Sequence, residues 1–323
     1  MKRHTSFTLT TLLAAAFAAA ALSLSGCAKP DAPTDETEHK DHDEAYRVEL
    51  TLARGLLQDG TFTALPSDAG AKRYNANEQK VIFENGPAGF GISSASPAKQ
   101  FVVIGGIDET KPAPADPASA NWTDGTFDFA AVHSGEVTYR LSVRFYAKDG
   151  DEITSEFSSP EESKLHQLFF TPENIAAAFG SEADAAAFRP DYTFLGYYYM
   201  DRFGGIFGGI SNPLGLEGYI EFYRALTTFD LRIRLMHAKV SKYLDNGVKT
   251  SPFYKPSPEQ LAREDWEDLD IKVPVAVFAD AAELPLHAKT FEELTDADRR
   301  LVERLAETLG ITPEEAFSDL LRA

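Results

Sequence analysis

Val137-Thr138-Tyr139-Arg140-Leu141-Ser142-Val143-Arg144-Phe145-Tyr146-Ala147 alternates apolar and polar side chains along most of its length. Val137, Tyr139, Leu141, Val143 and Phe145 share one face, and Thr138, Arg140, Ser142 and Arg144 the other. Successive side chains of a strand point to opposite sides, so this run reads as a strand with one face buried and one wet. Asp149-Gly150 follows, a pair that accepts positive φ in a tight hairpin. Strands joined by tight turns lie antiparallel, and this segment therefore sets the expectation of an antiparallel β body.

The pattern recurs on both sides. Upstream, Tyr46–Leu52 alternates in the same way, and Lys80–Glu84 and Gln100–Ile104 are short apolar runs bounded by Gly, Pro or Asn. Phe157 and Leu165–Phe170 extend the block, whereas Pro112, Pro114 and Pro117 deny ladder hydrogen bonds and mark a surface loop. A second block holds Tyr192–Met200, Gly218–Tyr223, Phe229–Ala238 and Ile271–Phe278. Between the blocks, Thr171-Pro172-Glu173 offers an N-cap, a proline at the first helical position and an early acid, which predicts helix running toward Pro190. Near the C-terminus the period changes. Thr295 is placed to cap a helix with Leu301, Val302, Leu305 and Leu309 as its stripe, and Thr312-Pro313-Glu314-Glu315 is a capping box opening a second. The expected fold is mainly β: two antiparallel β-sandwich-like domains at residues 46–170 and 191–285, a short helical connection at 171–190 and a helical hairpin at 290–323.

With 323 residues, 43% of them hydrophobic, the chain is long enough to bury a sizeable core. Its formal charge of −19 repels a phosphate backbone, so nucleic acid is excluded as the expected partner. The phrase Leu305–Ala316 is superficially like the turn of a DNA-reading helix pair, but residues 290–323 carry nine acids against four bases, which suits a packing cap instead.

The N-terminus follows the secretory pattern. Lys2 and Arg3 precede an apolar run from Leu12 to Leu22, which at about 11 residues is too short to span a bilayer needing roughly 20. Leu24-Ser25-Gly26-Cys27 then resembles the lipobox of bacterial lipoproteins. The resemblance implies a signal peptide at 1–26, diacylation of Cys27 and a lipidated, Pro- and acid-rich tether at 27–45. Ala28, standing where an inner-membrane retention aspartate would be, implies the outer membrane; Asp31, Asp35 and Glu36 resemble a surface-export signal. Cys27 is the only cysteine, so once acylated it leaves no thiol for a disulfide, a thiolate metal site or a nucleophile.

Neither a nucleophile elbow, nor His-Glu-x-x-His, nor a phosphate loop, nor a dinucleotide fingerprint occurs in the chain. Three groups of candidate residues remain. His39 and His42, three apart among acids in the tether, have the spacing to share one divalent ion, the competing reading being a solvated charged segment. His166 and His237 lie in separate expected strands, each isolated in sequence, where a lone histidine is ordinarily structural. Tyr197-Tyr198-Tyr199-Met200-Asp201-Arg202-Phe203-Gly204-Gly205-Ile206-Phe207-Gly208-Gly209 sets aromatic faces beside Gly-Gly hinges. Tyr197, Tyr198, Tyr199, Phe203 and Phe207 suit stacking on a flat ligand and Arg202 a carboxylate, unless the rings simply pack into a sheet.

Leu165-His166-Gln167-Leu168-Phe169-Phe170 and Arg234-Leu235-Met236-His237-Ala238, with the acidic tether, resemble an uncharacterised group of two-domain envelope lipoproteins richer in histidine. A divalent metal or haem is what that resemblance implies as cofactor. The chain departs from the pattern at Leu168, where a second imidazole is expected, and in Ala53–Thr63, which has none. The functional expectation is an outer-membrane lipoprotein that binds a ligand or assists a transporter. The alternatives are an envelope glycan hydrolase using paired carboxylates and a structural or adhesive surface protein.

Overall fold

The computed structural model describes residues 44–65, 78–106, 134–177, 188–203, 206–225, 227–238, 240–244, 249–261, 266–278, 290–309 and 311–321. Every described residue belongs to one compact unit, His42–Ala323. The expected signal peptide, Cys27, His39, His42 and the stretch holding Pro112, Pro114 and Pro117 lie outside the described residues.

Two sheets face one another across an apolar core. The first contains β1 (Arg47–Gln58), β3 (Glu78–Gly86), β4 (Gly89–Ile92), β6 (Glu136–Tyr146), β8 (Leu195–Tyr199) and β11 (Glu217–Phe222) in the order β4-β3-β1-β6-β11-β8, with β2 (Thr61–Ala64) paired to the end of β1. The second runs β5-β13-β12-β7 and comprises β5 (Phe101–Ile104), β7 (His166–Ala177), β12 (Thr227–His237) and β13 (Trp266–Phe278). The small β9 (Arg202–Phe203) and β10 (Ile206–Phe207) pair only with each other.

Alternation explains the layering. Leu141, Val143 and Phe145 of β6 are buried together with Val48, Leu50 and Leu52 of β1. From the other sheet Leu231, Ile233 and Leu235 of β12 meet Leu269, Ile271, Val273 and Val275 of β13 in the same core. Polar bonds also cross between the layers. The side-chain amide of Gln79 both donates to and accepts from the backbone of Val102, at 2.7 and 2.8 Å, and the Tyr139 hydroxyl accepts from the Ile104 amide. On the far face of the second sheet, Val102 and Ala276 are covered by α1 (Asp296–Leu309) and α2 (Pro313–Leu321) through Val302, Ala306, Ala316 and Phe317. The capping box forms as its spacing predicts. Thr312 donates its amide to Glu315 Oε2, and Glu315 donates its amide to Thr312 Oγ1.

The mainly β, sandwich-like class is as the sequence reads, but three particulars differ. First, the two sequence blocks are not two domains. β11 pairs with β6, and β5 with β13, so each sheet draws strands from both blocks and neither block can bury its apolar face alone. Second, β5 and β13 are parallel in an otherwise antiparallel body. Third, Thr171-Pro172-Glu173 continues β7 and starts no helix. Its partners in β12 are Arg232, Leu231 and Asp230, and the Thr171 hydroxyl donates to the Tyr254 carbonyl at 2.6 Å. The amides of Leu168 and Phe170 point away from β12, to Leu214 O and Phe253 O. Pro172, two residues on, has its nitrogen on that same outer side, so the missing N–H takes nothing from the ladder.

Candidate functional site

Strand register brings together what the sequence separates. β7 begins at His166 and β12 ends at His237, and the two are direct cross-strand partners. His166 shares a face with Leu168 and Phe170, and His237 with Leu235 and Ile233, so both imidazoles point into the sandwich at the end of the second sheet. Their ring centroids are 4.2 Å apart at 51°. Phe157 meets His166 edge-on at 5.2 Å and in turn packs against Phe145 of β6 at 4.6 Å, which walls the pair on the side of the first sheet.

A third donor arrives from the turn before β7. Glu162 opens a short 3-10 turn, Glu162–Lys164, and its amide is capped by Ser159 Oγ at 3.1 Å. Four residues separate it from His166, which returns its side chain to the same side. His166 Nδ1 lies 2.9 Å from the Glu162 carbonyl and 3.4 Å from Glu162 Oε2. One ligand atom from each of Glu162, His166 and His237 lies within 4.8 Å of the others, and all three residues are buried. The Nδ1 contact to a carbonyl, which can only accept, puts the ring proton on Nδ1 and leaves Nε2 as the nitrogen of His166 with a lone pair for an ion. Two imidazoles and a carboxylate form a donor set for Zn²⁺, Cu²⁺ or Ni²⁺. The imidazoles touch each other and leave no slot for a macrocycle between them, so the pair does not suit ligation of a haem from both sides.

The cluster continues into a buried ionic seam. Lys242 is fully buried, and its Nζ donates to the carbonyls of Ser163, His166 and Pro213 at 2.7, 2.9 and 2.7 Å. Burial pushes this amine down to about 7, with the charge of Asp201 acting in the opposite sense. Asp201 is itself buried and accepts four backbone amides, Leu214 and Gly215 on Oδ2 and Leu216 and Glu217 on Oδ1. Burial raises its carboxyl, while the amides of Gly215, Glu217 and Leu214 and the Lys242 charge pull it down. Gly215 sits in this loop at φ +99°, and a Cβ there would lie 2.7 Å from Leu168 Cβ, so only glycine fits.

The aromatic stretch takes a different role from the one its composition suggests. Tyr197 and Tyr199 face the core. Tyr197 stacks on Phe170 at 3.7 Å and donates to Gly215 O, and Tyr199 donates to Leu168 O and accepts from Gln167 Nε2. Burial raises both phenols. Tyr198 points to the other face of β8, where Leu57 and Tyr219 cover it and its hydroxyl donates to Glu221. None of the three offers an open ring to a ligand, because each is filling a layer of the sandwich. Phe203 is half-buried against the core, Arg202 is exposed, and the side chain of Phe207 lies outside the described ones. Glu162 is the member that sequence reasoning missed; its signal was the Glu-x-x-x-His spacing to His166.

Comparison with family models, with curated proteins and with solved structures finds no match to this chain.

Proposed function

We propose that this chain is a lipid-anchored protein of the outer membrane that binds a divalent transition metal through Glu162, His166 and His237. It acts as a ligand-binding or transporter-accessory component of the envelope, capturing and holding an ion. The observation that carries this reading is the cross-strand pairing of His166 with His237 above the Glu162 carboxylate, three buried metal-type donors within 4.8 Å of one another. Three donors leave a tetrahedral ion a fourth position, but burial of all three denies a substrate access to it, which favours retention over turnover. Support for the anchor comes from Leu24-Ser25-Gly26-Cys27 behind a short apolar run.

Equilibrium dialysis of the full chain in detergent against Zn²⁺, Cu²⁺ and Ni²⁺ tests the site. One ion per chain is expected, lost in His166→Gln and in His237→Gln and kept when His39 and His42 are both changed to Ala. Binding that vanishes only with His39 and His42, or no binding at all, would overturn the reading. The anchor is tested separately, because Cys27→Ser should abolish acyl labelling and release the protein from the membrane fraction.

A further inference from the structure

The turn that carries Glu162 and His166 is held by the chain that continues from His237. Four consecutive carbonyls are taken up by residues 238–242: Leu165 O by the Ala238 amide and Lys164 O by the Lys242 amide, both at 2.8 Å, and Ser163 O and His166 O by Lys242 Nζ. Inside the turn the Leu165 amide closes on Glu162 O at 2.9 Å. The third Nζ bond, to Pro213 O, ties the same ammonium to the loop that Asp201 holds. Three carbonyls around Nζ call for three N–H donors, so the bonded form is the ammonium, which these bonds favour against the downward pull of burial.

Resting on the metal reading above, we propose that Lys242 is the positioning residue of the Glu162–His166–His237 site. Its ammonium fixes the turn bearing two ligands against the chain that leaves the third and the loop held by Asp201, and so presets the donor geometry before the ion arrives. A buried cation is costly next to a place meant for another cation, and an apolar side chain of similar length would fill the same volume. What the apolar chain would lack is three directed bonds, two of them to the residues that frame the ligands.

The test uses the full chain with Zn²⁺ and Cu²⁺ as probes. Lys242→Met keeps the stem and removes the donors, and Lys242→Gln returns two of them. Residues that orient ligands from behind change metal affinity by about 10- to 100-fold. The expected result is a loss of that size for Zn²⁺ in Lys242→Met, with one ion still bound per chain, an altered Cu²⁺ electron paramagnetic resonance spectrum and partial recovery in Lys242→Gln. Val302→Ala, on the far side of the second sheet, should lower stability and leave affinity and spectrum unchanged. Should Lys242→Met not fold, hydrogen exchange in the unaltered protein decides: Zn²⁺ should slow the amides of Ala238 and Lys242 more than those of β1. Wild-type affinity and spectrum in a folded Lys242→Met, or no change in those amides on Zn²⁺ addition, would overturn the role of Lys242 while the metal site stands. Absence of Zn²⁺ binding in the unaltered chain would instead remove both.

Discussion

Asp201→Asn isolates the loop on which the site rests. The aspartate collects four backbone amides at 2.7 to 3.1 Å. The same loop serves both sheets. Leu214 O accepts the Leu168 amide of β7, and Leu216 O accepts the Val143 amide of β6. Asparagine keeps the shape but supplies one acceptor oxygen, so two amides keep a partner and two face an NH₂ group. Hydrogen bonds to a charged group contribute about 1.5–3 kcal/mol each, which gives a loss of roughly 3–6 kcal/mol, offset in part because a neutral amide escapes the desolvation that burdens the buried carboxylate. A net loss near 3–4 kcal/mol is a large share of a typical stability of about 5–15 kcal/mol. Urea unfolding should show the midpoint falling with an unchanged slope, and the thermal midpoint should drop by roughly 10 °C for a body of this size. A shift below about 1 kcal/mol would refute the idea that this carboxylate organises the loop.

Zn²⁺ at about a hundred times its dissociation constant should stabilise the protein by ~2.7 kcal/mol, seen as a rise of roughly 5–10 °C in the thermal midpoint that His166→Gln abolishes. Arg232 bridges Asp270, at 2.8 and 2.6 Å, and Glu173, at 3.0 Å, on the wet face of the second sheet, and Lys272 reaches Glu173 at 2.7 Å. The Arg232 bonds hold the Asp270 carboxyl below its ordinary value. At Glu173 desolvation pushes upward, but the bonds from Lys272 and Arg232 prevail and lower it. Depressed carboxylates add stability above their unfolded values near pH ~4 and lose it as pH falls through the folded ones. Arg232→Ala should accordingly cost about 1 kcal/mol at pH 7, in urea titrations, and progressively less below pH ~4. Thr312→Ala removes the cap of α2 and should cost about 1 kcal/mol, read as faster amide exchange in Pro313–Leu321 with β1 unchanged.

Local signals in the sequence were sufficient wherever the deciding contacts are local. The strand of Val137–Ala147 follows from its period of two, and the second C-terminal helix from Thr312 and Glu315, whose two reciprocal bonds span three residues. They failed at Thr171-Pro172-Glu173, where a helix-start signature meets a stronger long-range demand: Glu173 is gripped by Arg232 and Lys272 from two other strands, and Asn174 takes a positive φ of 52° while donating to Asp230. The tyrosine run misled for a related reason. Aromatics before glycines look alike in a ligand shelf and in a strand entering a pinned loop, and what separates the two is Asp201, whose four partners lie 13 to 16 residues on.

The candidate site was half legible, since His166 and His237 could be named but not joined. Joining them needs the β7–β12 register, which only the assembled sheet defines. With that register in place, the buried acids, lysines and histidines of the described residues prove to be few: Glu162, His166, Asp201, His237 and Lys242. They are not scattered through the core. Lys242 bonds to the backbone of His166 and Ser163 on one side and, through Pro213, to the loop held by Asp201 on the other, while Glu162 and His237 flank His166. Apolar side chains of similar volume would stabilise a sandwich core at least as well as buried charges do. A fold that, among its described residues, confines its buried acids, lysine and histidines to one connected seam, and ends that seam on two imidazoles and a carboxylate, concentrates its electrostatic cost where donors must be held in fixed positions. For that reason the end of the second sheet, beside which Tyr197, Tyr198 and Tyr199 are packed away, is the place where a bound ion is to be tested first.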